Sequence, residues 1–203
     1  AQELAWDRRP LAERDTYGRA FLQASNLWQH DPVAARFVLS RRFAEVAAAL
    51  LGVDGVRVYH DQALCKEPGG GHTPWHQDQV YWPLDTDRTI TMWMPLVDVR
   101  ADMGMVFASG THREACLGTE VIGDASQDHF DALVRERGWP LTSHAPFVAG
   151  DATFHAGWTL HSAPANPTST MRSVMTIIWF ADGTRVGAVD SPVRRFDQQA
   201  WLG

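Results

Sequence analysis

The stretch Phe43-Ala-Glu-Val-Ala-Ala-Ala-Leu-Leu-Gly52-Val-Asp-Gly-Val-Arg-Val-Tyr-His-Asp-Gln-Ala-Leu64 decides the fold, because its texture changes at Gly52. Ahead of that glycine, apolar residues recur at helical spacing from Ala12 onward, and an alanine-rich run closes on a residue suited to ending a helix. The spacing predicts helix across residues 12–51. Behind the glycine the chain turns to short segments rich in Val, Thr, Trp, Phe and Ile, divided by Gly, Pro, Asn and Asp. These predict strands at Val56–Leu64, Thr89–Val97, Met105–Ala108, His144–Phe147, Thr153–Phe154 and Arg172–Phe180.

One helical island, Ser126–Gly138, interrupts the strands with Phe130, Leu133 and Val134 on one face. Helices first, then many short strands, imply a mainly β protein: a closed or two-sheet antiparallel barrel of the jelly-roll kind with helices packed outside. Strands and helices do not alternate, which disfavours a parallel α/β sheet. At about 150 residues per domain, one domain is expected over residues 1–203. It comprises a helical flank (1–52), a β core (53–184, with a helical insertion near 126–138) and a tail (185–203).

A net charge of −6, from 24 acidic and 18 basic residues, leaves no excess of cations to follow a phosphate backbone or an anionic membrane. Nucleic acid and lipid are therefore not expected partners. The longest strongly apolar run, Phe43–Val53, contains Glu45 and falls far short of the ~20 residues of a membrane span. Two cysteines, Cys65 and Cys116, cannot staple a fold of this size, and no signal-like leader opens the sequence. The expectation is a cytoplasmic protein with free thiols. Nothing in the sequence speaks to its oligomeric state.

Among nine histidines, two stand in His-x-Asp triplets. His129-Phe-Asp131 lies in the expected helix, where residues two apart point away from each other, so it reads as solvated surface. His76-Gln-Asp78 lies in the extended, aromatic segment Thr73-Pro-Trp-His-Gln-Asp-Gln-Val-Tyr-Trp-Pro83, where positions two apart share a face and can hold one metal. The remaining donor is offered by Gly150-Asp-Ala-Thr-Phe-His-Ala-Gly-Trp-Thr-Leu-His161, followed by Arg172. Two histidines and one carboxylate on one face of an octahedral ion suit Fe(II) that must also bind a cosubstrate and oxygen. An arginine buried in a barrel suits a carboxylate gripped through two parallel hydrogen bonds.

With these residues in place, the sequence resembles the phytanoyl-CoA dioxygenase-like branch of the Fe(II)/2-oxoglutarate dioxygenases. The likeness runs from about Tyr59 to Thr184. It rests on Tyr59-His-Asp-Gln-Ala-Leu-Cys-Lys-Glu-Pro-Gly-Gly70, Trp75-His-Gln-Asp-Gln79 with Tyr81-Trp82-Pro83, and Thr91-Met-Trp-Met-Pro-Leu-Val-Asp-Val99. It rests further on Phe154-His-Ala-Gly-Trp-Thr-Leu-His161 with Asn166 and Arg172, running into Trp179-Phe-Ala-Asp-Gly183. The resemblance implies a double-stranded β-helix in which His76, Asp78 and His161 ligate iron and Arg172 binds the distal carboxylate of 2-oxoglutarate. It places Gln77, Trp93 and Gln62 along that cosubstrate. The implied reaction consumes O2 and 2-oxoglutarate, releases succinate and CO2, and hydroxylates or otherwise oxidises a C–H bond of a small organic molecule. Asp78 stands where related halogenases carry a small residue, so halogenation is not expected. The sequence departs from the common pattern at Met103-Gly104 and at Ala108-Ser-Gly-Thr-His112.

Tyr81, Trp82 and Trp158 flank the metal ligands and are candidate walls of a substrate pocket. His155 reads as packing with a possible role in supporting the site, and Lys66, the sole lysine, as a structural contact or a partner for a substrate carboxylate. Nothing basic enough for a coenzyme A tail stands out, which favours a free metabolite or natural-product intermediate. Two competing readings share the same ligands: a catalytically silent β-helix that binds a metal or small ligand, and a Zn(II) hydrolase or isomerase.

Overall fold

The computed structural model describes residues 7–202. Its centre is a pair of antiparallel sheets. The larger runs in the order β1 (Leu22–Ser25), β2 (Val56–Lys66), β9 (Arg172–Ala181), β4 (Thr89–Pro95), β7 (Thr153–Ala156). The smaller runs β3 (Thr73–His76), β8 (His161–Ala163), β5 (Val106–Ala108), β6 (Leu141–Thr142). From β2 onward the chain passes repeatedly from one sheet to the other, so sequence neighbours are seldom sheet neighbours. This is the winding of a double-stranded β-helix, in agreement with the fold expected from the sequence.

Each sheet is covered on its outer face. Helices α2 (Pro32–Val38) and α3 (Arg41–Leu51) lay Val38 and Ala47 against Ile90, Met92, Ile177 and Trp179 of the larger sheet. Met92 and Ile177 are fully buried, and each side chain of this kind contributes about 1.5–3 kcal/mol. Asp31 caps α2 by accepting from the Val33 and Ala34 amides, with Pro32 at the first position, where its missing N–H costs nothing. Gly52 ends α3 at φ 65°, a backbone that an L side chain would strain. On the other side, α4 (Asp124–Arg137) packs Phe130 onto Trp75, Ala108 and Leu160 of the smaller sheet and its surroundings. Between the sheets, Trp93 and Val174 meet Phe107, Phe147 and Ala163 and close one end of the interior. The other end stays open.

Three expectations from the sequence need correction. Residues 12–51 are not one helical block: between α1 (Thr16–Ala20) and α2 the chain supplies the edge strand β1, paired with β2 from Leu22↔Cys65 to Ser25↔Gln62. Leu22 and Ala24 are buried and alternate with half-buried Gln23 and Ser25, a period of two that the surrounding helical texture hid. His144–Phe147 is not a strand either. Pro146 lacks an N–H for a ladder, the pairing moves upstream to β6, and Phe147 makes only an isolated bridge to Val99. The segment 185–203 is more than a tail, because it carries helix α5 (Pro192–Asp197), seated through a 2.9 Å hydrogen bond from the Tyr59 hydroxyl to Asp197.

Candidate active site

Register brings the three candidate ligands together. His76 at the end of β3 is the direct cross-strand partner of His161 at the start of β8, and their ring centroids are 4.1 Å apart. Asp78 follows in the turn after β3 and turns Oδ1 towards both imidazoles, 3.6 Å from His76 Nε2 and 3.9 Å from His161 Nε2. One ligand atom from each of the three lies within 4.8 Å of the others.

Both imidazoles are prepared as ligands. His76 Nδ1 contacts the Pro74 carbonyl at 2.7 Å and His161 Nδ1 the Thr159 carbonyl at 2.9 Å. A carbonyl only accepts, so Nδ1 carries the proton in each ring and the Nε2 lone pair faces the cluster. Burial holds both rings below the usual histidine range, His161 well below, and the neighbouring imidazoles add to that effect at His161. Burial alone would push the Asp78 carboxyl up. The surrounding His161, His155 and His76 outweigh it and hold Asp78 well below the usual carboxylate range. Neutral imidazoles and an ionised carboxylate are the states a divalent cation needs.

The outer oxygen of Asp78 is fixed from the larger sheet. Thr91 on β4 and His155 on β7 are cross-strand partners, and both reach Oδ2, Thr91 Oγ1 at 3.0 Å and His155 Nε2 at 3.3 Å. Trp93, two residues after Thr91, shares its face of β4 and lies under the guanidinium of Arg172, whose Cζ is 5.6 Å from the ring centroid. Arg172 is buried and donates from Nη1 to the Met103 carbonyl at 2.8 Å. Its Nε has no partner, and no carboxylate among the described residues forms an ion pair with it. Burial lowers its pKa to about 10, which leaves it charged at neutral pH. A buried cation without its anion is costly, so this site is shaped for an anionic ligand. The turn at Met103-Gly104 presents the Met103 carbonyl to Arg172, and a Cβ on Gly104 would meet that of Ala145 at 2.4 Å.

His76, Asp78, His161, Thr91, His155, Trp93 and Arg172 all line one cavity of about 1050 Å3, open at the end away from the inter-sheet core. Gln62, Tyr81 and Trp82, expected from the sequence, line it too. Two expected residues do not. Gln77 is buried and fully used elsewhere, donating to the Ala115 and Trp158 carbonyls at 2.9 and 2.6 Å and accepting from the Leu117 amide at 2.8 Å. It braces two loops behind the ligands. Trp158 is half-buried and contributes only that carbonyl, its ring lying outside the lining. Lys66 is also absent from the lining: its ammonium bonds the Gly71 carbonyl and Thr73 Oγ1 and braces the turn before β3.

The sequence reading missed the open end of the cavity. Tyr17 and Phe21 from the region of α1, and Pro192, Val193 and Phe196 from α5, complete its wall. Thr91 was within reach of sequence reasoning, since it shares the strand face of Trp93.

A family model for phytanoyl-CoA dioxygenase matches residues 2–174. The chain belongs to the phytanoyl-CoA dioxygenase family. Among solved structures, a member's likeness extends to SnoN, a non-heme alpha ketoglutarate dependent epimerase of nogalamycin biosynthesis (TM-score 0.70, 23% identity, 85% of this chain and 66% of that one). A second SnoN structure, in complex with Fe3+, alpha ketoglutarate and nogalamycin RO, gives 0.72 at 25% identity, covering 87% and 68%. SnoK, an alpha ketoglutarate dependent carbocyclase of the same biosynthesis, gives 0.71 at 27% identity, covering 87% and 70%. EctD from S. alaskensis, with 2-oxoglutarate and 5-hydroxyectoine, gives 0.68 at 18% identity, covering 83% and 60%. This family member thus spans between 60% and 70% of the length of these proteins. No curated protein matches it. The family is named for a dioxygenase, and the neighbours are described as alpha ketoglutarate dependent (SnoN, SnoK) or hold Fe3+ with alpha ketoglutarate (SnoN) or 2-oxoglutarate (EctD). None of the helices among the described residues is long and apolar enough to cross a membrane.

Proposed function

We propose that this protein is an Fe(II)- and 2-oxoglutarate-dependent oxygenase that hydroxylates, or otherwise oxidises, a C–H bond of a small organic molecule. The observation that carries the reading is a three-donor cluster of His76, Asp78 and His161 in the same cavity as a buried, anion-less Arg172. The donor set suits Fe(II), which His76, Asp78 and His161 would hold. Bound Fe(II) supplies the coupling of O2 reduction and 2-oxoglutarate decarboxylation, to succinate and CO2, with substrate oxidation.

The chain's own residues bind, orient and shield. His76, His161 and Asp78 Oδ1 would hold the metal. Thr91 and His155 occupy Asp78 Oδ2, which favours binding through one oxygen. Arg172 pairs with the distal carboxylate of 2-oxoglutarate, completing the bonds its Nε lacks, and Trp93 flanks that cosubstrate. Gln62, Tyr81 and Trp82 wall the space beyond and keep water from the reacting centre.

The test is an anaerobic titration of metal-free protein with Fe(II) and 2-oxoglutarate, followed by the visible charge-transfer band of the chelated keto acid. The band should appear, and weaken in Arg172→Ala. Fe(II) binding without the band in the unmodified protein would overturn the reading.

A further inference from the structure

The oxygenase reading leaves the substrate open, and the cavity wall narrows it. Among the described residues only two aromatic side chains are exposed, Tyr17 at 39% and Phe196 at 66%, and both stand at the rim of this cavity. Exposed rings gathered at one opening mark a contact surface for an apolar ligand. Tyr17 packs edge-on against Phe21, with centroids 5.4 Å apart, and Val121, itself 47% exposed, extends the same rim. Deeper in, Tyr81 and Trp82 continue the aromatic wall.

The polar groups of this wall are turned to the protein. The Tyr17 hydroxyl donates to Gln23 Oε1 at 2.7 Å, and the Tyr81 hydroxyl accepts from the Ile122 amide at 2.7 Å. Both rings therefore offer faces and edges to a ligand while their oxygens are engaged.

Charge is equally selective. Arg172 is the one arginine in the described lining, and Lys66, the sole lysine, is not in it. With Arg172 given to 2-oxoglutarate, no Lys or Arg of the described lining remains for a second anion. With Asp78 given to the metal, Asp197 is the acidic side chain left in the described lining, and it repels one. A carboxylate, sulfonate or phosphate carried into this space would be desolvated without a counter-ion, which is strongly unfavourable.

We infer that the substrate is a ring-bearing, largely apolar organic molecule with no anionic group in the cavity, gripped at the rim between Tyr17 and Phe196. A volume of about 1050 Å3 holds a drug-sized molecule beside 2-oxoglutarate. Free carboxylic acids and phosphorylated metabolites are excluded as the portion that enters. The inference rests on the proposed function only in reserving Arg172 and the metal ligands for the cosubstrate and iron.

A matched pair of fluorescent probes tests it: N-phenyl-1-naphthylamine, and 1-anilinonaphthalene-8-sulfonate, which adds a sulfonate to the same rings. With Mn(II) and saturating 2-oxoglutarate present, the neutral probe should bind with enhanced emission, and the sulfonate at least about tenfold more weakly. Phe196→Ala and Tyr17→Ala should each weaken the neutral probe about fivefold. Val46→Ser, on the exposed face of α3, should leave the isotherm unchanged. Equal affinity for the two probes overturns the inference, as does a neutral-probe isotherm that neither rim variant moves. Sulfonate binding seen only when 2-oxoglutarate is left out reports Arg172 and agrees with it. Loss of the Fe(II)·2-oxoglutarate band, by contrast, sinks the oxygenase reading alone, because the neutral probe and its dependence on Phe196 do not require that band.

Discussion

His155 Nε2 stands 3.3 Å from Asp78 Oδ2, the carboxylate oxygen turned away from the other two candidate ligands. Thr91, its partner across the strand pair, reaches the same atom at 3.0 Å. The two side chains hold the carboxylate plane from behind. A positioning role follows for His155. His155→Ala should weaken binding of Mn(II) alone by about tenfold or more, the usual cost of removing an outer hydrogen-bond partner of a ligand. His155→Gln, which keeps an N–H donor near the same place, should recover part of that loss. Competition titration against a metal indicator gives both constants, and an unchanged affinity in the alanine variant would leave His155 as packing.

Arg172 opposes stability to function. In the cosubstrate-free protein its guanidinium is buried with one bond to Met103 and an orphaned Nε. Exchange of such a group for an apolar side chain of similar size is often neutral or stabilising. Arg172→Met should therefore hold or raise the Tm of the metal-free protein, by about 2–4 °C for each kcal/mol gained. The same variant should bind 2-oxoglutarate on the order of 100-fold more weakly, because a desolvated charge pair is lost. Calorimetry and a keto-acid titration read the two effects. A lowered Tm with unchanged 2-oxoglutarate affinity would make the arginine purely structural.

What the sequence made legible was local and periodic. His76 and Asp78, two apart in an extended segment, could be grouped because a strand puts such positions on one face, whereas His161 and Arg172 were joined to them by the donors a metal and a carboxylate need and by their order along the chain. Val56–Leu64 and Arg172–Phe180 were readable as strands from their β-branched and aromatic texture between turn residues. Side-chain direction at a turn was not readable. Gln77 lies between two ligands, yet the chain leaves β3 there and sends its amide to the Cys116 loop. Trp158 sits in the β7–β8 turn, where no period applies. Strand β1 was hidden because four residues at a sheet edge take their conformation from the partner β2, whatever their helical surroundings suggest. The rim formed by Tyr17 and Phe196 joins the two ends of the chain, and no spacing in the sequence records that meeting.

The redirected Gln77 gives a third prediction. Its amide closes three hydrogen bonds to the backbone, and Gln77→Leu would leave two carbonyls and one N–H unpaired beneath the site. At about 1–3 kcal/mol for each orphaned group, the variant should melt on the order of 10 °C lower. Its 2-oxoglutarate affinity, measured well below that melting point, should change less than about threefold, since no direct contact is removed. A large loss of affinity with an unmoved Tm would restore the cosubstrate-lining role expected from the sequence.

Lys66 carries a pH dependence whose sign follows from its surroundings. The side chain is fully buried, directly across the β2–β9 ladder from Arg172, with its ammonium on the Gly71 carbonyl and Thr73 Oγ1. Burial first, and the Arg172 charge second, lower its pKa from 10.5 to about 7. The unfolded chain keeps this proton up to about pH 10.5, whereas the folded one releases it near pH 7. Between those values the unfolded state binds more protons, so the Lys66 contribution makes folding more favourable as pH rises. Below about pH 7 both states are protonated and the contribution is flat. Lys66→Met removes the titration and should be more stable than the unmodified protein at pH 7. That advantage should shrink by up to about 1.4 kcal/mol per pH unit on going from pH 7.5 to pH 10. Urea unfolding of both proteins across this range measures the difference. A constant difference would mean that Lys66 keeps its proton when folded, held by the Gly71 carbonyl more strongly than burial opposes it.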